Sequence, residues 1–199
     1  MDLFLQRAKA LGAMDDPIKI SLQNDDYTVS SFPKAGTTWT QQIVHQIRTG
    51  GDENFEEISL VVPYLMPEAV FGDQLGEENK DKYRPRVFKT HLNYEELVSQ
   101  GGKHIYVTRN PEDTLWSNLH FLPAIVCTPG LDVAEFYFRF YRDRPNPNYW
   151  RHLLSWWPHR NETDRLLLLH FEDLKENPEH CVRHIARFLK GHRVKLSRV

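Results

Sequence analysis

The chain has 199 residues, 40% hydrophobic, 12% aromatic and 26% charged, with 25 Lys+Arg against 27 Asp+Glu for a net charge of −2. One domain with an adequate core fits that length, whereas two would each sit near the lower limit of independent stability. The balanced charge removes the global electrostatic case for nucleic acid binding, and the aromatic content excludes a disordered or low-complexity scaffold. Cys127 and Cys181 stand far apart without metal-like or redox spacing, so a reducing compartment is expected. The first residues lack a basic stretch leading into an apolar run, and no segment approaches the roughly 18 apolar residues of a membrane span. These features predict a soluble, cytoplasmic protein.

Residues 1–20 predict a short helix and a polar turn. Tyr27 to Phe32 is β-branched and aromatic, as a strand would be, and Pro33-Lys34-Ala35-Gly36 follows as a turn. Trp39, Ile43, Val44 and Ile47 then share one face of a helix that stops at Gly50-Gly51. Residues 52–85 mix acids, prolines and glycines and predict a long loop, of the kind that is often functional. Arg86 to Thr90 is a second strand and His104 to Thr108 a third, each with a helix after it. Asn110-Pro111-Glu112-Asp113 supplies an N-cap, a proline at N1 and an acid at N3. A Pro/Gly loop at 122–131 precedes the aromatic run Phe136 to Tyr141 and the pair Trp156-Trp157, both expected in the core. Arg165 to Phe171, with Leu166 to Leu169 uninterrupted, predicts a strand buried on both faces. The last helix opens at Asn177-Pro178 and aligns Cys181, Ile185, Phe188 and Leu189. Strands alternating with helices predict a three-layer α/β sandwich with a central parallel sheet, whose ligands bind beyond the carboxyl ends of the strands.

The strongest chemical signal is Pro33-Lys34-Ala35-Gly36-Thr37-Thr38-Trp39, between a strand and a helix. A small residue and a glycine let the backbone fold closely, so that N–H groups at a helix N-terminus converge on a phosphate while a lysine adds charge. Thr37 and Thr38 can add hydroxyl donors, and Trp39 offers a face for a base, although its position on the apolar helix face favours the core. The lysine precedes the glycine and no second glycine stands upstream, which disfavours an ATP or GTP enzyme of the Walker A class. Taken singly, His91, Arg109 and Ser117 are better explained by structural roles. Lys89 alternates onto the same strand face as His91 if the second strand continues.

Lys34 to Trp39 resembles the phosphosulfate-binding loop of the cytosolic sulfotransferases, usually K-S-G-T-T-W, with Ala35 as a mild departure. Three further segments match in the same order over roughly residues 27–190. Arg86-Val87-Phe88-Lys89-Thr90-His91-Leu92 is similar to R-x-x-K-T-H-L; Lys103 to Asp113, with Ser117 beyond it, looks like the 3′-phosphate segment; Phe171-Glu172-Asp173-Leu174-Lys175 resembles Y-E-D-L-K. The resemblance implies one domain over residues 1–199 with a P-loop-like strand-loop-helix. It also implies a sulfuryl transfer from 3′-phosphoadenosine-5′-phosphosulfate (PAPS) to a hydroxyl or amine of a small molecule, without a metal. His91 would be the general base, with Lys34 and Lys89 stabilising developing charge. Lys34, Ala35, Gly36, Thr37, Thr38 and Trp39 would hold the phosphosulfate side, and Arg109 and Ser117 the 3′-phosphate. Neither nucleic acid nor a membrane is an expected partner. Tyr64, Phe71, His120 and Phe121 are candidate walls of an apolar acceptor pocket.

Two departures qualify this expectation. Phe171 stands where the family has a tyrosine, removing one hydroxyl. The family's R-K-G-x-x-G-D-W-K segment, which closes over the nucleotide, has no counterpart in the sequence, whose last residues are Gly191 to Val199. The alternative expectation is therefore a shortened, catalytically impaired remnant that binds nucleotide weakly or acts through protein interaction.

Overall fold

Every residue of β1 (Tyr27–Ser31) is buried, because this strand forms the centre of a five-stranded sheet. The computed structural model describes residues 22–65, 83–99, 101–126, 132, 134, 137, 138 and 148–189. After β1 come α1 (Thr37–Thr49), the short α2 (Ile58–Val61), β2 (Tyr64–Leu65), β3 (Val87–Thr90), α3 (Tyr94–Val98) and β4 (Lys103–Thr108). The chain continues through α4 (Pro111–Val126), α5 (Tyr149–Trp156), a 3₁₀ turn (Trp157–His159), β5 (Leu166–His170), α6 (Phe171–Glu176) and α7 (Pro178–Leu189).

The sheet order is β2-β3-β1-β4-β5, with every neighbouring pair parallel. Strand alternation divides its side chains between two cores. Val29, Val87, Ile105 and Val107 pack with Val44 and Ile47 of α1 and Ile185 and Leu189 of α7. Phe88, Tyr106 and Leu166 pack on the opposite face with Leu97 of α3 and Trp156 of α5. The three-layer α/β fold predicted from the element order is therefore the one observed. Its polarity matters for function: β1, β3 and β4 lie side by side, and their carboxyl ends deliver Pro33–Gly36, His91 and Arg109 to one edge.

Several local expectations are corrected. The segment expected to be loop contains α2 and β2, with the N–H of Lys89 donating to the Pro63 carbonyl at 2.8 Å. Leu167 and Leu168 are only half-buried, because β5 ends the described sheet rather than standing inside it. Trp156 is fully buried, but Trp157 is exposed where the helix gives way to the 3₁₀ turn, and Tyr137 and Phe138 are exposed too. Trp39 is 38% exposed rather than part of the core. The predicted helix in residues 1–20, Phe71, Cys127 and the last ten residues lie outside the described residues.

Candidate active site

The loop between β1 and α1 is shaped by two positive φ angles, +69° at Lys34 and +110° at Gly36. Gly36 is required twice over: its φ is one that L side chains rarely adopt, and a Cβ there would lie 2.6 Å from Cδ2 of Phe171. Ala35 is fully buried and its N–H donates to the Phe32 carbonyl at 3.1 Å. The loop carbonyls are taken from outside, by Asn118 Nδ2 at Pro33 (3.0 Å) and by Arg109 Nη1 at Lys34 (3.2 Å). No side chain caps the N-terminus of α1, so its first-turn N–H groups and helix dipole are available to an anion. Ser31 Oγ donates to the Phe32 carbonyl at 2.9 Å and lies 2.6 Å from Thr37 Oγ1, which spends the Thr37 proton on Ser31. Thr38 is exposed.

His91 follows β3 by one residue. Its Nδ1 lies 2.6 Å from the Ser31 carbonyl oxygen. A carbonyl can only accept, so the proton sits on Nδ1 and Nε2 is the basic nitrogen. Desolvation, reinforced by the charge of Lys89, pushes the His91 pKa down to about 3, against a partial offset from the Ser31 carbonyl. Tyr64 binds the group together: its ring meets His91 edge-on at 5.3 Å, and the Lys89 ammonium lies 4.8 Å from its centroid.

Arg109 leaves the end of β4. Its guanidinium stacks over Phe171 at 4.5 Å and pairs at 3.7 Å with Asp113 one turn into α4. Its Nε is buried without a hydrogen-bond partner. The start of α4 is capped as the sequence pattern predicts, Asn110 Oδ1 accepting from the N–H groups of Glu112 (2.8 Å) and Asp113 (3.2 Å). Glu172 Oε1 accepts the Asn110 N–H at 2.9 Å, and the Tyr149 hydroxyl donates to the Arg109 carbonyl, which together fix the exit from β4.

An open cleft of about 480 Å³ is lined by Lys34, Arg109, Asp113, Trp116, Ser117, His120 and Phe121. The Lys34 ammonium lies 3.7 Å from the Phe121 ring centroid. The electrostatics are those of an anion site. Desolvation lowers the Lys34 pKa, with Arg109 adding repulsion. Desolvation likewise lowers that of Lys89, with Lys34 adding repulsion and Glu57 offsetting it in part. Three cations repel one another here, an arrangement that an incoming polyanion relieves. Among the described residues, no group of three or more His, Cys, Asp or Glu could hold a metal ion, and no helix is long and apolar enough to cross a membrane.

The structure thus brings Lys34, Gly36, Lys89, His91, Arg109 and Ser117 to one edge. Trp39 stands beside them with its ring edge-on to Phe171 at 5.7 Å. Sequence reasoning missed Asn118 and Tyr149, which hold the loop and Arg109, and it valued Phe171 only for a missing hydroxyl. Asn118, four residues beyond the buried Thr114 on α4, could have been found from helical spacing.

A parallel α/β sheet here presents, at its carboxyl edge, a basic loop and an uncapped helix N-terminus suited to an anion, beside a histidine. The chain matches the sulfotransferase domain family over residues 24–196, and it belongs to that family. It is 33% identical over 192 residues to sulfotransferase 1A1 of the dog, covering 92% of this chain and 63% of that protein. It is 35% identical over 177 residues to mouse sulfotransferase 1 family member D1, covering 83% of this chain and 59% of the relative. Among solved structures, mouse sulfotransferase SULT7A1 complexed with PAP superimposes with a TM-score of 0.66 at 27% identity, over 85% of this chain and 60% of that one. Retinol dehydratase in a complex with retinol and PAP gives a TM-score of 0.67 at 23% identity, a likeness of fold, over 94% of this chain and 64% of that one. The chain therefore spans about three fifths of the length of the curated relatives it matches.

Proposed function

We propose that this protein transfers a sulfuryl group from PAPS to a hydroxyl or amine of a small-molecule acceptor. The observation that carries this reading is the convergence of Lys34, Lys89 and Arg109 with the neutral imidazole of His91 at the carboxyl ends of adjacent parallel strands. SULT7A1, with a similar fold, was solved with PAP, the product such a donor leaves. The acceptor oxygen attacks sulfur in line, and the bond from sulfur to the bridging oxygen of the 5′-phosphate breaks. PAP departs with that electron pair, and the acceptor proton passes to His91 Nε2.

Each residue's part follows from its position. Nδ1–H of His91, held by Ser31, leaves Nε2 as the basic nitrogen, and burial lowers the ring's pKa, so that the imidazole is neutral near pH 7. Lys89, adjacent to His91, and Lys34, on the loop, stabilise charge developing on the sulfuryl and bridging oxygens, with the α1 N–H groups beside them. Arg109 and Ser117 line the cleft and hold the 3′-phosphate, Arg109 through its fork of donors and Ser117 through its hydroxyl. The buried Ala35 lets the loop close, Thr37 braces it against Ser31, and Thr38 and Trp39 face the nucleotide. Neither nucleic acid nor a membrane is a partner in this reading, and the setting is cytoplasmic.

The test is thermal stabilisation by 3′,5′-ADP against Mg-ATP, followed by sulfate transfer on a panel of phenols and alcohols. Stabilisation by 3′,5′-ADP together with transfer supports the enzyme. Stabilisation without transfer supports a nucleotide-binding remnant, and stabilisation by Mg-ATP alone overturns both in favour of a nucleotide kinase.

A further inference from the structure

Each of the three cations of the site rests against an aromatic ring. The Lys34 ammonium lies 3.7 Å from the centroid of Phe121 on α4, the Lys89 ammonium 4.8 Å from that of Tyr64 on β2, and the Arg109 guanidinium 4.5 Å from that of Phe171 at the start of α6. Arg109 also has Asp113 at 3.7 Å, whereas among the described residues no carboxylate pairs with either lysine ammonium. Lys34 is further set apart by its backbone. Among the described residues it is the one non-glycine with a positive φ, +69°, a conformation that an L side chain seldom adopts. The loop carries that strain at the residue whose ammonium then meets Phe121, in the cleft that both side chains line with Arg109 and Ser117.

We propose that Phe121 is a positioning residue for Lys34: its ring face seats the ammonium in the cleft before any ligand arrives, so that the donor meets a lysine already in place. Tyr64 and Phe171 stand in the same relation to Lys89 and Arg109. A ring attracts a cation through its quadrupole without cancelling the charge and without engaging it in a strong hydrogen bond. A carboxylate at the same spot would hold the lysine more firmly, but it would neutralise the charge and compete with the incoming phosphate. A lysine left in solvent would keep its charge, yet its four-carbon stem would lose rotamer freedom at the moment of binding. Seating on a ring moves that loss from binding to folding, which is preorganisation. Mutual repulsion makes the seat more necessary here, since an unanchored Lys34 would swing away from Arg109 and Lys89.

This inference rests on the cleft being the donor site, and its test separates the two. In the ligand-free full chain, the Lys34 Cε protons should resonate upfield of an ordinary lysine because they lie over the Phe121 ring, and the shift should vanish in Phe121→Leu. Phe121 is 45% exposed, so its variants should melt within about 2 °C of the parent. Calorimetric titration with 3′,5′-ADP should show affinity about 3- to 10-fold lower in Phe121→Leu. Mono-, di- and trifluorinated phenylalanine at position 121 should lower it stepwise, since fluorine drains the ring face while shape and apolarity are nearly kept. In a Lys34→Met background, Phe121→Leu should change affinity by less than about twofold. A ring that served only as a wall of the acceptor pocket would alter KM for the acceptor and leave 3′,5′-ADP binding, measured without acceptor, as it was. A Lys34 resonance without the upfield shift in the parent, a flat or rising affinity along the fluorine series, or an undiminished effect of Phe121→Leu in the Lys34→Met background would overturn the proposal. If the parent binds no 3′,5′-ADP, the donor reading falls, and the Lys34 shift with titration of the same variants by inorganic pyrophosphate decides the seat.

Discussion

Gly36→Ala is the most informative single change, because the anion loop depends on that residue in two independent ways. The backbone φ of +110° lies outside what alanine adopts comfortably, at a cost of about 1–3 kcal/mol. The new methyl would also stand 2.6 Å from Phe171 Cδ2. Phe171 has little room to yield, with Trp39 edge-on at 5.7 Å and the Arg109 guanidinium stacked at 4.5 Å. Overpacking of this kind costs about 1–3 kcal/mol. Together the two effects predict a loss of about 2–6 kcal/mol, or roughly 10 °C in Tm for a chain of this size. A thermal melt measures it, and calorimetric titration with 3′,5′-ADP should show affinity falling by more than about 10-fold as the loop N–H groups lose their alignment. A double-mutant cycle with Phe171→Ala separates the causes: the steric share, about 1–3 kcal/mol, should vanish in the double variant while the backbone share persists. A Gly36→Ala protein that melts within about 2 °C of the parent and binds 3′,5′-ADP equally well would refute the reasoning.

Acid should destabilise the fold before it protonates the site. Burial pushes the pKa values of His104 and His152 down to about 4, whereas the unfolded chain titrates near 6.5. Stability is therefore full above about pH 7 and falls as the pH drops toward 4, by about 1 kcal/mol per histidine between pH 7 and 5.5. His91 acts in the same direction, discounted because its ring is not fully buried. Urea denaturation at the two pH values checks this, and equal midpoints would contradict it. Arg109→Lys keeps the charge but loses the fork that reaches the Lys34 carbonyl and lies over Phe171; 3′,5′-ADP should bind about 10- to 100-fold more weakly by calorimetry. Phe171→Tyr restores the hydroxyl that the family pattern carries and should raise that affinity by about fivefold, the worth of one hydrogen bond of about 1 kcal/mol. A tyrosine variant that binds no better would place the hydroxyl outside the nucleotide's reach.

The residues most legible in the sequence were those that a strand end carries. Lys34, His91 and Arg109 each follow a short β-branched or aromatic run, and parallel crossovers place such positions on one edge by topology. What the sequence concealed has physical reasons too. Tyr64–Leu65 is too short a strand to show a period, and Pro63 before it reads as loop. Trp39 shares its helix face with Val44, but it lies on the first turn of α1, where the Phe171 ring meets it edge-on and leaves it 38% exposed. Trp157 follows the buried Trp156 directly, and the 3₁₀ turn carries it outward. The Lys89 and His91 pair was expected to share a strand face. In the structure β3 ends at Thr90, and Tyr64 is what keeps the two side chains together.

The central claim is that these residues move a sulfuryl group with His91 as the base. The measurement that tests it most directly is the initial rate of radiolabelled sulfuryl transfer from PAPS to a panel of phenols and alcohols, in the parent chain and in His91→Ala. Transfer by the parent is predicted to fall by about 100- to 10,000-fold in the variant, with 3′,5′-ADP binding unchanged within about twofold, since His91 is not among the residues lining the cleft. Transfer that persists at the parental rate in His91→Ala, or a parent that binds 3′,5′-ADP and transfers nothing, would contradict the account.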